Sequence, residues 1–317
     1  MTPLVKPFDL DALEDGLHLP QLIEEQFKAS VIIFSKVGQG FYAHIYKALL
    51  NKDPRQVIVK CQKYAGRGEK EKRQLEILKR HAAARVPQVY SLHFPSALLP
   101  CEALTMEFIP GVNASKIQFP DDRSRRRFVD SVVENLLAWH TVTNAEGFGE
   151  LEGPFYETWA ECFGQRIALY HEHIHKKEHR TVVSAYVMRI IDRSFEDLER
   201  IFLSASENSS LVHSDYNAWN MMVDPRSYEL TGIIDPIDAG WCDYEIDLFH
   251  LANCRPELGL LERYLKEIEV DEFFWLRYRF YRFWDDVKHY LRVGWYGEER
   301  FRGYAKELET AMNECLY

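Results

Sequence analysis

The chain has no apolar run long enough to cross a bilayer. Its first residues, Met1-Thr2-Pro3-Leu4-Val5-Lys6, carry neither the basic region nor the apolar stretch of an export signal. Its six cysteines (Cys61, Cys101, Cys162, Cys242, Cys254 and Cys315) include no C-x-x-C pair. That spacing argues against a structural zinc site and for free thiols in a reducing cytoplasm, the expected location. Internal repeats and low-complexity linkers are also missing. Positive charge is in short supply: 39 Lys and Arg stand against 49 Asp and Glu, a formal net charge of −10. Nucleic-acid affinity comes largely from phosphate neutralisation, so a nucleic-acid partner is not expected, and neither is a membrane. The basic run Arg123-Ser124-Arg125-Arg126-Arg127 opens an amphipathic stretch and reads as a solvated helix face. His171, His175 and His179 share a helical face, and with no accompanying motif they read as surface helix.

What is present is a globular composition, 46% hydrophobic and 28% charged over 317 residues. A helix is expected near Leu19–Phe27. Ser30–Val37, Ala43–Leu50 and Gln56–Gln62 read as strands of an antiparallel meander, with Gly38-Gln39-Gly40 at the first break and Asn51-Lys52-Asp53-Pro54 at the second. Gly68–His81 reads as a helix, and Val86–His93 with Ala103–Phe108 as a second hairpin. Beyond Pro110-Gly111 the pattern is mostly helical: Asp121–Thr141, Trp159–His175, Val182–Phe202, Gly259–Glu267 and Asp271–Val293, with short strands around a loop in 211–235. Strands first and helices later predict an α+β protein of two lobes, 1–108 and 109–317.

The segment His213-Ser214-Asp215-Tyr216-Asn217-Ala218-Trp219-Asn220 follows an apolar strand, and Asp235 follows another, Gly232-Ile233-Ile234. A loop of that length can turn Asp215 and Asn220 toward one point. Asp235 would add a second carboxylate at the mouth of a hairpin. Two carboxylates and an amide are the oxygen donors Mg²⁺ prefers. The same residue types also serve as ordinary turn formers.

These residues resemble the H-G-D-x-x-x-x-N catalytic loop and following I-D of the aminoglycoside phosphotransferase, choline kinase and fructosamine kinase superfamily. Cys242-Asp243-Tyr244-Glu245-Ile246-Asp247-Leu248 resembles its G-D-P-x-x-D-L segment. The resemblance implies a bilobal protein-kinase-like fold and an ATP-dependent transfer to a hydroxyl group. It makes Asp215 the catalytic base or the group that orients the hydroxyl, Asn220 and Asp235 the Mg²⁺ ligands, and His213 and Asp247 the structural support of the loop. Ser214 stands where the family has glycine, Pro236 where it usually has phenylalanine, and Cys242 where glycine is common.

Upstream, Gly38 and Gly40 suit a loop whose backbone approaches phosphates. Lys60 resembles the strand lysine that contacts the phosphates, and Glu71, ahead of Glu76 and Glu69, the carboxylate that holds it. Leu104–Gly111 resembles the hinge that reads adenine, with backbone contacts at Glu107 and Ile109. Leu136–His140 followed by Phe148-Gly149 also fits, with His140 structural.

Only eleven residues separate Asp235 from Asp247, and no A-P-E follows. That spacing leaves no activation segment and favours a small-molecule acceptor over a protein. Tyr156–Phe163 with Arg166 resembles a fructosamine kinase stretch. The acceptor expected is a fructosamine, amino sugar, aminoglycoside or amino alcohol, with ATP as donor and GTP as the alternative nucleotide. A catalytically silent scaffold and a protein-modifying kinase are the competing readings. The aromatic tail reads mainly as core, with Tyr281, Trp284 and Asp285 as candidate acceptor contacts.

Overall fold

A computed structural model describes residues 8, 10, 18–97 and 99–317; the first six residues, read above for an export signal, lie outside them. In chain order the chain forms α1 (Leu19–Phe27), β1 (Val31–Gln39), β2 (Ala43–Leu50), β3 (Gln56–Gln62), α2 (Arg67–His81), β4 (Val89–His93), β5 (Ala103–Glu107) and β6 (Val112–Asn113). Next come α3 (Asp122–His140), β7 (Phe148–Gly149), β8 (Phe155–Tyr156), α4 (Trp159–Ile174), α5 (Lys177–Arg180), α6 (Ala185–Glu196) and α7 (Leu198–Ile201). The remainder is β9 (Ser210–Val212), β10 (Met221–Val223), β11 (Leu230–Ile233), β12 (Gly240–Cys242), α8 (Glu245–Leu251), α9 (Leu260–Tyr264), α10 (Phe274–Val293) and α11 (Glu298–Leu316).

These elements sort into two compact units, residues 2–128 with 219–237, and residues 129–218 with 238–317. The hairpin β10–β11 returns to the first unit because β10 pairs with β6.

In the first unit, β1-β2-β3-β5-β4 form an antiparallel sheet. Alternate residues of a strand face opposite sides, so Val57, Val59 and Cys61 of β3 enter the core while Ile58 and Lys60 face away. Leu19 and Ile23 of α1 join that core with Tyr46, Ala48 and Leu50 of β2.

In the second unit the core is helical. Phe163, Ile167 and Tyr170 of α4, Val187, Ile190 and Ile191 of α6, and Phe280, Tyr281 and Trp284 of α10 are all buried in one cluster. Helix α4 begins at Trp159 because Thr158 and Glu161 form a reciprocal capping box. The helix expected over Val182–Phe202 is two, α6 and α7, with Asp197 between them. Gly259–Glu267 is α-helical only over α9. Helix α11, unforeseen from the sequence, buries Phe301, Ala305, Leu308 and Met312 on one face. His171 and His175 both reach Asp192 Oδ1, at 2.9 and 2.7 Å, and His179 meets the Tyr290 hydroxyl instead. No helix among the described residues is long and apolar enough to cross a membrane.

Candidate active site

In the first unit, Lys60, Glu71 and Asp235 form one charged cluster. The Lys60 ammonium lies 2.8 Å from Glu71 Oε1 and 2.5 Å from Asp235 Oδ1. Burial disfavours the charged lysine, but Asp235 and Glu71 outweigh it and hold its pKa above the ordinary value. Glu71 is itself buried, and that burial pushes its carboxyl up. Its second oxygen accepts from Gln62 Nε2 at 2.8 Å. The rival glutamates turn elsewhere: Glu69 to Arg73 at 2.6 Å, Glu76 to Lys72 at 3.9 Å.

The hairpin β10–β11 positions the expected metal ligands. Met221 faces Ile233 across it, and the Ile234 N–H donates to the Asn220 carbonyl at 2.9 Å. Asn220 and Asp235 therefore flank the same end of the hairpin. Asn220 is buried, whereas the Asp235 side chain is 41% exposed, at a left-handed φ of 61°. An amide oxygen beside a partly exposed carboxylate is a donor set that fits a small hard cation.

The glycine turn is short. The Gly40 N–H closes it on the Ala43 carbonyl at 2.8 Å. Neither Gly38 nor Gly40 has a positive φ, and a Cβ at either would make only ordinary contacts. The turn itself does not demand glycine there. At the hinge, the Glu107 N–H donates to the Gln88 carbonyl at 2.8 Å, so that donor is spent inside the unit, and its carboxylate holds Arg85. Ile109 is buried.

The loop 213–220 is divided between the units after Ala218. Its second-unit part is pinned by two anchors. Asp247 of α8, fully buried, accepts from the His213 N–H at 2.8 Å with one oxygen and from the Ser214 N–H at 2.7 Å with the other. His140 Nε2 lies 3.3 Å from the first of these oxygens. Burial would raise the Asp247 pKa, but these partners outweigh it and keep it below the usual range. The second anchor is Tyr216, whose buried hydroxyl donates to the Val132 carbonyl at 2.9 Å and accepts from Asn135 at 3.2 Å. The His213 ring stacks on Trp139.

Ser214 has a φ of 64°, the conformation glycine adopts freely. The serine found in place of the family's glycine thus sits at a left-handed position. Asp215 follows it, with Oδ1 accepting from Asn217 Nδ2 at 2.6 Å. His250 Nδ1 lies 3.7 Å from the same oxygen. Burial pulls the His250 pKa down to about 4, so the ring is neutral at neutral pH. His250 was not foreseen, although it lies one helical turn beyond Asp247.

Beside this loop lies a small pocket whose walls include Arg166, Ser214, Asp238, His250, Asp285 and Lys288. Tyr281 and Trp284 also line it but are almost wholly buried. The Tyr281 hydroxyl accepts from Trp159 Nε1 at 2.7 Å and the Trp284 indole donates to Ser194 at 3.1 Å, so both polar tips are engaged by the protein. Asp285 is paired with Lys288 and with His289. Burial would raise the Asp285 pKa, but Lys288 and His289 more than reverse that.

The profile of the phosphotransferase enzyme family matches residues 44–281, well over half of the chain. The chain belongs to this family. It is a small-molecule phosphotransferase, an enzyme class whose acceptor is an alcohol group. Among curated proteins, the uncharacterized protein YcbJ of Escherichia coli K12 is 25% identical over 232 residues, covering 73% of this chain and 77% of its own. Among solved structures, a "putative fructosamine-3-kinase" of Thermobifida fusca YX-ER1 superposes with a TM-score of 0.70 at 19% identity, covering 92% of this chain and 98% of that one. An aminoglycoside phosphotransferase, APH(4)-Ia, crystallised as a ternary complex with ADP and hygromycin B, superposes with a TM-score of 0.68 at 19% identity, covering 95% and 99%. At these identities the two structures establish the shared kinase-like fold.

Proposed function

We propose that this phosphotransferase moves the γ-phosphoryl group of ATP to a hydroxyl of a fructosamine, an amino sugar, an aminoglycoside or an amino alcohol. The observation that carries the reading is the Lys60 cluster, in which one lysine is held by two carboxylates, Glu71 and Asp235. That is how a cation is kept charged and aimed while partly out of water. The neighbours whose names include ADP, hygromycin B and fructosamine-3-kinase support the nucleotide and the acceptor class.

In this reading Lys60 binds the α- and β-phosphates and Glu71 fixes its direction. Gly38 and Gly40 let the backbone approach those phosphates, a use the turn geometry leaves open to them. Asn220 and Asp235 would hold Mg²⁺, which supplies charge neutralisation on the phosphate chain. Asp215 accepts the hydrogen bond of the acceptor hydroxyl and takes its proton as the oxygen–phosphorus bond forms. The bond to the leaving ADP oxygen breaks in line with it. His250 is neutral and adds no positive charge beside Asp215. Asp247 holds the loop through two backbone donors and touches no reacting atom.

The test is nucleotide consumption, with ATP or GTP and Mg²⁺, against a panel of fructosamines, amino sugars, aminoglycosides and choline analogues. Acceptor-dependent consumption with phosphate found on the small molecule is expected. Consumption indifferent to every acceptor, or label recovered on an added protein instead, would contradict the reading.

A further inference from the structure

The second unit holds a cluster of metal-ligating side chains that shares no residue with the proposed transfer site. His171 and His175 stand one helical turn apart at the C-terminal end of α4, and Asp192 meets them from α6. A spacing of four residues puts both rings on one face of the helix. Their Nε2 atoms lie 2.9 and 2.7 Å from the same oxygen, Asp192 Oδ1. The three ligating atoms lie within 4.8 Å of one another. Among the described residues, the other Asp192 oxygen meets no donor. The His171 ring is fixed by its neighbours: it stacks on Phe195 of α6 at 4.2 Å between centroids and meets the His175 ring at 4.6 Å.

Hydrogen bonding alone gives no reason for two imidazoles to crowd one oxygen while the other stays vacant. Three ligating atoms converging on one point is the arrangement a cation needs. Two imidazole nitrogens and a carboxylate oxygen suit zinc and its transition-metal neighbours, whereas Mg²⁺ and Ca²⁺ take oxygen. Tetrahedral zinc, with bonds of about 2.0–2.1 Å, spaces its ligands roughly 3.3 Å apart. The Asp192 side chain is 42% exposed and each imidazole 24%. The carboxylate therefore has room to swing aside, and an ion with its remaining water ligand can enter from solvent. Zinc takes the Nε2 lone pair, so each neutral ring carries its proton on Nδ1 instead. At His171 that atom is engaged by no other group among the described residues. The cysteine spacing that argues against a thiolate zinc site does not bear on this one, which uses no sulfur.

We propose that His171, His175 and Asp192 bind a divalent cation of the zinc class, which ties the C-terminal end of α4 to α6. The ion has three protein ligands and completes its shell with water. It clamps, from the outer side, two helices whose inner residues Ile167 and Ile190 already share one core. A ligand that binds the folded chain and not the unfolded one stabilises the fold by mass action. None of the three residues belongs to the transfer machinery, so the proposal stands or falls independently of the phosphotransfer reading.

The experiment titrates Zn²⁺ by calorimetry into the full-length chain after chelator treatment, with Mg²⁺ in excess to fill oxygen-donor sites. One zinc ion per chain is expected, raising Tm by about 3 °C or more at saturation. H171A and H175A should each weaken binding at least about 100-fold, beyond what losing an outer-shell partner of a metal site costs. H173A, which alters a histidine of the same helix outside the cluster, should bind as the wild type does. Co²⁺ in place of zinc should give the visible bands of a four-coordinate nitrogen and oxygen site, without a thiolate charge-transfer band. No zinc uptake by the wild type, uptake unchanged in H171A and H175A, an equal loss in H173A, or a thiolate band with cobalt overturns the proposal. Should a variant not fold, the wild-type stoichiometry and cobalt spectrum still decide.

Discussion

Replacing Asp247 by asparagine changes one atom and should be felt in both stability and turnover. The Asp247 carboxylate is fully buried and uses both oxygens, one on the His213 N–H at 2.8 Å and one on the Ser214 N–H at 2.7 Å. An amide has a single acceptor oxygen. Whichever way the asparagine turns, its NH₂ faces one of the two backbone donors. One charge-assisted bond is lost, worth about 1.5–3 kcal/mol, and one buried N–H is left without a partner, costing a further 1–3 kcal/mol or so. D247N should therefore lose about 3–5 kcal/mol, read from urea unfolding at pH 7 against wild type. Because the freed donor lies at the start of the loop bearing Asp215, kcat should fall more than nucleotide affinity does. A variant within about 1 kcal/mol of wild type with unchanged kcat would refute the clamp.

Ser214→Gly should stabilise the protein by about 0.5–1 kcal/mol, visible as a raised Tm, because it relieves a left-handed φ of 64°; a lowered Tm would show that the serine is not strained. His250 has a folded pKa of about 4 against an ordinary 6.5, so between those values the unfolded chain binds more protons and stability falls as pH falls. That accounts for about 3 kcal/mol between pH 7 and pH 4, and His250→Gln should flatten this part of the pH–stability curve measured by denaturant titration. Arg277 makes two bonds to buried Glu245, at 2.7 and 2.6 Å, and two to Asp271, at 2.7 and 3.1 Å. Arg277→Met should cost about 3–5 kcal/mol in equilibrium unfolding by stranding the Glu245 carboxylate.

The legible parts of this chain were those where one residue type has one physical reason to be there. The β-branched run of β3 alternates buried and outward residues, and that alternation predicts a lysine facing away from Val59 and Cys61. The position of Asp247 relative to the loop followed from a resemblance, and the distances give its physical content. Choosing among Glu69, Glu71 and Glu76 needed coordinates, since all three lie on one helix and only Glu71 meets Lys60. The strain at Ser214 is a backbone property that sequence carries only through the missing glycine. Tyr281 and Trp284 illustrate the opposite difficulty. Aromatic residues suit a sugar pocket and a core equally well by composition, and here their polar tips are bonded to Trp159 and Ser194. The pairing of β10 with β6 spans more than a hundred residues, and no local pattern announces it. Helix α11, by contrast, has a plain amphipathic spacing that was available to be read.

The most direct test of the central claim compares wild type with Asp215→Ala. Phosphate transferred from labelled ATP to an acceptor found in the panel would be followed by mass spectrometry, with Mg²⁺–nucleotide affinity measured alongside. The account predicts a phosphorylated acceptor from wild type, none from the variant, and nucleotide affinities within a few-fold of each other. Equal product from both proteins would contradict it.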